Sequence, residues 1–273
     1  MTILFPCEYD NINKVDKNFE LEYNACKTLN INIALFDFDL FINENKLKYT
    51  NIQDNDVLLR SWMFKKEQYI NFYTKLNKNI INNPKQYIHC HHFPNVYNNI
   101  KDYSIPVLKY FKKSEINKEY INSIISEIDF GFIIKDYVKS EKGTELFHIK
   151  KEDKYNLYNI IQKFIQAREP LFNEGIVWKK YVNLDKAEYR VFVFKGEIVT
   201  IELNTKEYVK NKNIDIIFIK NIIKNIKYSN FFTIDIGFID NKPIVIEIGD
   251  GQVSGLASFQ NELIFYNNLK KLF

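Results

Sequence analysis

The sequence predicts an α+β protein. Its first third reads as α/β with parallel strands, and its last two thirds carry antiparallel hairpins. Three observations predict this. The N-terminal stretch alternates strand-like and helix-like segments, the order that places helices between parallel strands. Farther on, Lys195-Gly196 and Asp240-Asn241-Lys242 each separate two β-prone runs, as hairpin turns do. No repeat, long linker or low-complexity tract divides the 273 residues. At roughly 100–200 residues per domain, that length makes one large domain or two to three small subdomains.

Residues 2–5 read as a short strand. Residues 16–29 predict a helix, because Phe19, Tyr23, Cys26 and Leu29 recur at three- and four-residue spacing. Strands follow at 31–38 and 57–63, then a helix at 66–76. Asn83 before Pro84 marks a helix start, with Asn as the cap and Pro at the first helical position. A boundary falls near 103–106, which makes 1–104 the first domain. Residues 105–182 hold a strand near 107–111, a helix within 114–128 and a strand at 131–138. A polar loop at 139–145, a strand at 146–149, a helix at 151–168 and a β-prone run at 175–182 complete that part. Residues 183–273 hold strands 188–194 and 197–203, an amphipathic helix 214–228, strands 231–239 and 243–248, and a terminal helix 258–272.

Composition excludes several classes. Hydrophobic residues at 46% and charged residues at 26% describe a globular chain, not a disordered one or a fibre. The longest apolar runs are broken by Asp and Lys, and none approaches the ~20 residues of a membrane helix. The start, MTILFPCEYD, lacks the pattern of a signal peptide. Three cysteines, Cys7, Cys26 and Cys90, are an odd and sparse set that fits a reducing cytoplasm. The net charge is only +4 and the basic residues are scattered, which argues against a nucleic-acid partner. The 16% of aromatics accompanies abundant Asn, Lys and Ile, a mark of A/T-rich codons. Phosphate loops of the GxxxxGK[ST] type, GxGxxG after the first strand, GxSxG and a kinase set are missing from the sequence. His89-Cys90-His91-His92 invites a zinc reading, but adjacent ligands on one turn do not converge on one ion. A packed helix end or a substrate pocket suits it better, so His91 and, separately, Arg60 are candidate substrate contacts; a packed helix end and a surface arginine are the plainer alternatives.

Residues 231–255 carry the most chemistry. A turn centred on Asn241 sets Asp235 directly opposite Glu247, with Ile234, Ile236, Ile246 and Ile248 on the other face. Facing carboxylates repel, and a divalent cation removes the conflict; magnesium takes one or two carboxylates plus phosphates and water. The alternatives are a solvated acidic face, or a turn centre shifted by half a residue that separates the pair. Only 8 glycines occur, yet Gly249, Gly251 and Gly255 fall close together, where they turn the chain out of the strand and let Asp250 offer a third oxygen ligand. Lys135, inside an apolar strand, points at a phosphate or faces outward. Lys139 and Ser140 follow in a polar loop that can cover phosphates. Glu188 and Arg190 share a strand face. Arg190 can clamp a transferring phosphoryl group through its planar fork, or form a surface ion pair.

Together these segments resemble the ATP-grasp superfamily, and more narrowly a compact bacterial and phage clade of ATP-dependent carboxylate–amine ligases. The resemblance rests on IIKDYVKS (133–140), GIVWKKYV (175–182), EYRVF (188–192) and TIDIGFIDNKPIVIEIGDGQVSGL (233–256), with a looser pattern at Trp62-Met63, 67–69 and 87–91. It implies a pre-ATP-grasp α/β domain at 1–104, then a small subdomain at 105–182 and a metal-binding subdomain at 183–273 that sandwich ATP. It implies that Lys109 and Lys135 contact phosphates, with Lys139 and Ser140 beside them, that Lys180, Tyr181, Val182 and Glu188 meet the nucleotide, and that Asp235, Glu247 and Asp250 hold Mg²⁺ or Mn²⁺. Arg190 and Lys135 are then the catalytic pair, and Ser254, with Arg60 and His91, faces substrate. The implied reaction is activation of a carboxylate as an acyl phosphate and attack by an amine, with ADP released. The other readings are an ATP-dependent enzyme on a nucleic-acid or phosphorylated substrate, and a non-catalytic nucleotide- or nucleic-acid-binding module.

Overall fold

The computed structural model describes residues 1–128, 131–138, 147–169, 171–209, 212 and 214–273. Its first sheet is built on β1 (Thr2–Glu8), which pairs in parallel with β3 (Ile33–Phe36) on one side and β4 (Asp56–Leu59) on the other. A short β5 (Asn79–Ile80) extends β4 in parallel, and β2 (Asn11–Val15) folds back antiparallel on the end of β1. Parallel strands are covered on both faces, so they read as continuous apolar runs. Here Ile3, Phe5 and Leu58 pack towards α1 (Glu20–Thr28), while Leu4, Val57 and Leu59 pack towards α3 (Lys66–Leu76). The sequence pattern does not reveal β2, which is mostly polar, or α2 (Phe38–Glu44), too short to show a period. Asp37 caps α2 by accepting the Leu40 N–H, and Asn45 ends it in the left-handed region.

The second sheet is antiparallel, in the order β6-β9-β7-β8: β6 (Val107–Lys112), β7 (Phe132–Asp136), β8 (His148–Ile149) and β9 (Gly175–Lys180). One face carries Phe111, Phe132, Ile134 and Trp178, packed under α6 (Lys118–Ile124) and α7 (Leu157–Arg168). The opposite face, with Lys135 and Val177 side by side, looks into a cleft.

The third sheet is also antiparallel, in the order β11-β10-β12-β13: β10 (Tyr189–Phe194), β11 (Glu197–Leu203), β12 (Phe231–Ile239) and β13 (Lys242–Asp250). Its apolar face buries Val191, Ile234, Ile236 and Ile248 against α4 (Pro84–His91), α5 (Phe93–Ile100) and α8 (Ile216–Asn225). The two helices that follow the first sheet thus close the core of the last one. Asn83 and Gln86 fix the start of α4 by a reciprocal capping box ahead of Pro84. The terminal α9 (Glu262–Lys270) returns to the first sheet and α1, with Phe265, Tyr266 and Leu269 sharing a core with Phe5 and Cys26. Among the described residues no helix is long and apolar enough to cross a membrane.

Candidate functional site

Both hairpins of the third sheet close through two-residue turns with positive φ at each position, Lys195-Gly196 and Asp240-Asn241. Such turns alone would set Arg190 opposite Ile201 and Asp235 opposite Ile246. A bulge in each hairpin corrects the register. On β11 the ladder skips Val199, so Arg190 faces Glu202. On β13 it skips Ile246, so Asp235 faces Glu247. Since Arg190 also faces Asp235 across β10 and β12, four charged residues form one row across the sheet: Glu202, Arg190, Asp235, Glu247. The turn centre lies half a residue before Asn241, but the bulge restores the expected pairing. It also moves Ile246: instead of filling the core face, its side chain lies against Gly237 and lines the cleft.

The acids of this row meet cations. Arg190 donates Nε–H and Nη2–H to the two oxygens of Asp235 at 2.8 and 2.7 Å, and Nη1–H to the Gly255 carbonyl at 2.8 Å. From the opposing sheet Lys135 reaches Glu247 at 2.8 Å. Lys179, opposite Ile133 on the same face as Lys135, donates to the Ile246 carbonyl at 2.6 Å. The ring of Phe93 lies under both ammonium groups, 4.3 Å from Lys179 and 5.8 Å from Lys135. Burial and the neighbouring Lys135 hold the Lys179 amine well below its ordinary pKa. Burial raises the Asp235 carboxyl in spite of Arg190. Burial would raise Glu247 too, but Lys135, Lys179 and Arg190 hold it below its ordinary value. Glu188 is pushed up to about 7 by burial and by Asp235.

Two cavities meet at Glu247. One, of about 210 Å³, lies between the second and third sheets and is lined by Ile133, Lys135, Lys179, Tyr181, Val182 and Ile246 among others. Its hinge is pinned: the Lys180 N–H bonds the Pro106 carbonyl, the Tyr181 N–H bonds that of Gly131, and the Tyr181 ring stacks on His148 at 3.7 Å. The other cavity, about 70 Å³, is lined by Arg190, Asp235, Glu247, His91, Ser254 and Gly255 among others. The structure thus gathers Lys135, Lys180, Tyr181, Val182, Arg190, Asp235, Glu247, His91 and Ser254 around one cleft, with Glu188 beside Arg190.

Two expected contacts, Lys109 and Arg60, lie elsewhere, and Asp250 borders the polar cavity while its carboxylate is taken up in the core. Lys109 stands opposite Trp178, on the sheet face turned away from Lys135, and is exposed. Asp250 alternates onto the core face of β13, fully buried, where it accepts from Asn82 Nδ2 at 2.6 Å and from the Gln252 N–H at 2.9 Å. Arg60 is 1% exposed and holds Glu22, the Gly251 carbonyl and the Ser254 carbonyl. It therefore braces the 251–255 loop instead of facing substrate. Gly249 and Gly251 need close approach more than a turn: Gly249 is still in β13, and a Cβ there would sit 2.8 Å from Thr233 and Ser254. Lys139 and Ser140 lie outside the described residues. Lys179 and Glu202 are site residues that the sequence pattern does not single out. Pairing 175–180 against the Lys135 strand would have exposed Lys179, whereas Glu202 depends on a bulge that has no sequence signal.

Among the described residues no three His, Cys, Asp or Glu side chains converge on a metal position. Two facing carboxylates beside open space nevertheless suit magnesium, which completes its octahedron with phosphate oxygens and water. A family model described as an ATP-grasp domain, the third family of its clade, matches residues 117–269, more than half the chain. Curated protein sequences return no match. Similar solved structures include D-cycloserine synthetase DcsG, 11% identical over 100% of this chain and 99% of that one, with a TM-score of 0.67. A D-alanine–D-alanine ligase from Bacillus anthracis complexed with ATP is 11% identical over 99% and 95%, with a TM-score of 0.58. The ligase PsnB, complexed with a phosphomimetic variant of its minimal precursor, Mg and ADP, is 11% identical over 98% of both chains, with a TM-score of 0.58. At these identities the likeness is one of fold.

Proposed function

The chain belongs to the ATP-grasp domain family, and on that premise we propose that it is an ATP- and Mg²⁺-dependent ligase that joins a carboxylate to an amine and releases ADP. The observation that carries this reading is the pairing of two facing carboxylates, Asp235 and Glu247, with Arg190 and Lys135 at the junction of an apolar cleft and a polar cavity. The apolar cleft takes the adenine, with its walls at Ile133, Val182 and Ile246 and its hinge at 180–182. Lys135 and Lys179, one step apart on neighbouring strands, turn their ammonium groups to the phosphates. Lys139 and Ser140 are proposed to cover the phosphates from the adjoining loop. Glu188 belongs beside the ribose.

Asp235 and Glu247 would hold magnesium, which when bound supplies positive charge to the phosphate oxygens. A carboxylate oxygen of the acid attacks the γ-phosphorus, and the bond to ADP breaks. The amine nitrogen then attacks the acyl carbon, the bond to phosphate breaks, and the proton shed by nitrogen passes to water. Arg190 is placed to bind the transferring group and the oxyanion of the tetrahedral intermediate, because it projects into the polar cavity beside Asp235. Such catalysis rests on position and charge, with no side-chain nucleophile. The three cysteines are buried and free, in keeping with a reducing cytoplasm. The test is a coupled ADP assay across panels of acids and amines. ADP should form only when both are present, and the product should weigh the acid plus the amine less one water. ADP release that needs neither would count against ligation.

A further inference from the structure

A third cavity, of about 400 Å³, opens beside the polar one and shares four of its lining residues, Met63, Val253, Ser254 and Gly255. The shared wall includes Gly255, whose carbonyl Arg190 holds, so the two cavities are adjacent at the reaction centre. We propose that this cavity is the subsite for the acceptor, and that the acceptor is a primary amine with an aromatic or aliphatic body. The proposal rests on the ligase reading above.

Two features of the cavity support this. Its floor and rim are apolar: Phe19 is buried beneath Trp62 in an edge contact at 5.2 Å, and Trp62 and Leu21 remain 40% and 68% exposed. Its charge is acidic. Glu22 and Glu262 are its charged lining residues, and Asp16 sits at the rim, where it accepts the Trp62 indole N–H at 2.9 Å. Glu22 is neutralised by Arg60, and Glu262 forms no salt bridge among the described residues. Arg60, the nearby cation, spends its donors on Glu22 and on the carbonyls of Gly251 and Ser254, so little remains to bind a carboxylate. The carboxylate substrate therefore belongs to the Arg190 cavity and the amine to this one, with the body of the amine on Trp62.

The test uses the full chain with Mg²⁺ and a non-hydrolysable ATP analogue. Calorimetry compares phenylalaninamide, which has an amine and no carboxylate, with N-acetylphenylalanine, which has the reverse. The amide should bind in the Trp62 cavity, and the acid, which belongs to the Arg190 cavity, should bind independently of Trp62. Trp62→Ala should weaken the amide about fivefold and Glu262→Gln about threefold, with the analogue's affinity unchanged in both. Acid binding that Trp62→Ala weakens as much as it weakens the amide, binding of neither probe, or an amide affinity indifferent to Trp62→Ala would overturn the assignment. Failure of the ligase reading would appear separately, as an ATP analogue that does not bind.

Discussion

Arg190 holds Asp235 through two parallel hydrogen bonds and the Gly255 carbonyl through a third. Lysine carries the charge but not the fork. Arg190→Lys should therefore lower ADP formation about a hundredfold, while affinity for an ATP analogue changes little; equal losses in both would make Arg190 a nucleotide contact only. Arg60 shows the opposite role. It is buried among Glu22 and two carbonyls, so Arg60→Met leaves a carboxylate without its cation and should cost about 3–5 kcal/mol in urea unfolding. A cost below about 1 kcal/mol would contradict that role. These two arginines mark how far single residues can be read from sequence. Arg190 lies two positions from Glu188 in a regular strand, so its face is legible. The partners of Arg60 lie 38 to 194 residues away, and only the folded chain shows that they consume it. Lys179 and Lys180 are adjacent, and strand alternation turns just one to the sheet face that carries Lys135. Without the pairing to Lys135, nothing in the sequence says which.

The site-bearing element is a pair of hairpins, each with a tight turn and one bulged residue. Turn residues and alternation make both hairpins legible in the sequence. The bulges at Val199 and Ile246 are not, because an extra apolar residue in an apolar strand leaves the composition unchanged. The expected turn centre and the unseen bulge offset each other, so the Asp235–Glu247 opposition holds while Ile246 lies on the other face from the one expected. The turn itself is testable. Asp240 and Asn241 have φ of 50° and 64°, a region that β-branched residues strongly avoid. Asp240→Val should lower stability by about 1–2 kcal/mol, whereas Asp240→Gly should be tolerated. Thermal unfolding of both variants checks this, and a tolerated valine would contradict the turn geometry.

In the whole molecule, three sheets share cores through helices that cross between them, and this arrangement exceeds what local pattern reveals. The parallel order of the first sheet is legible; the packing of α4 and α5 on the last sheet and of α9 on the first sheet and α1 is not, since an apolar helix face does not name its partner. Burial at these joints shapes the pH response. Asp250, buried with Asn82 and Gln252, and Glu188, buried beside Asp235, both rise to about 7. Between about pH 4 and 7 the folded protein keeps protons that the unfolded chain has released. The stability from these groups is thus full below that window and lost as pH rises through it. A Glu188→Gln, Asp250→Asn double variant should lose less stability than the parent between about pH 5 and 7.5, as read by urea midpoints; parallel slopes would contradict the burial argument.

Asp235 and Glu247 are central to everything proposed for this chain, as one magnesium–nucleotide site where the second and third sheets meet. The most direct measurement is calorimetric titration of a non-hydrolysable ATP analogue, with and without Mg²⁺, into the parent protein and into an Asp235→Asn, Glu247→Gln double variant. Magnesium should tighten binding to the parent at least about tenfold and leave the folded double variant almost unaffected. A magnesium effect of the same size in both proteins would contradict the site.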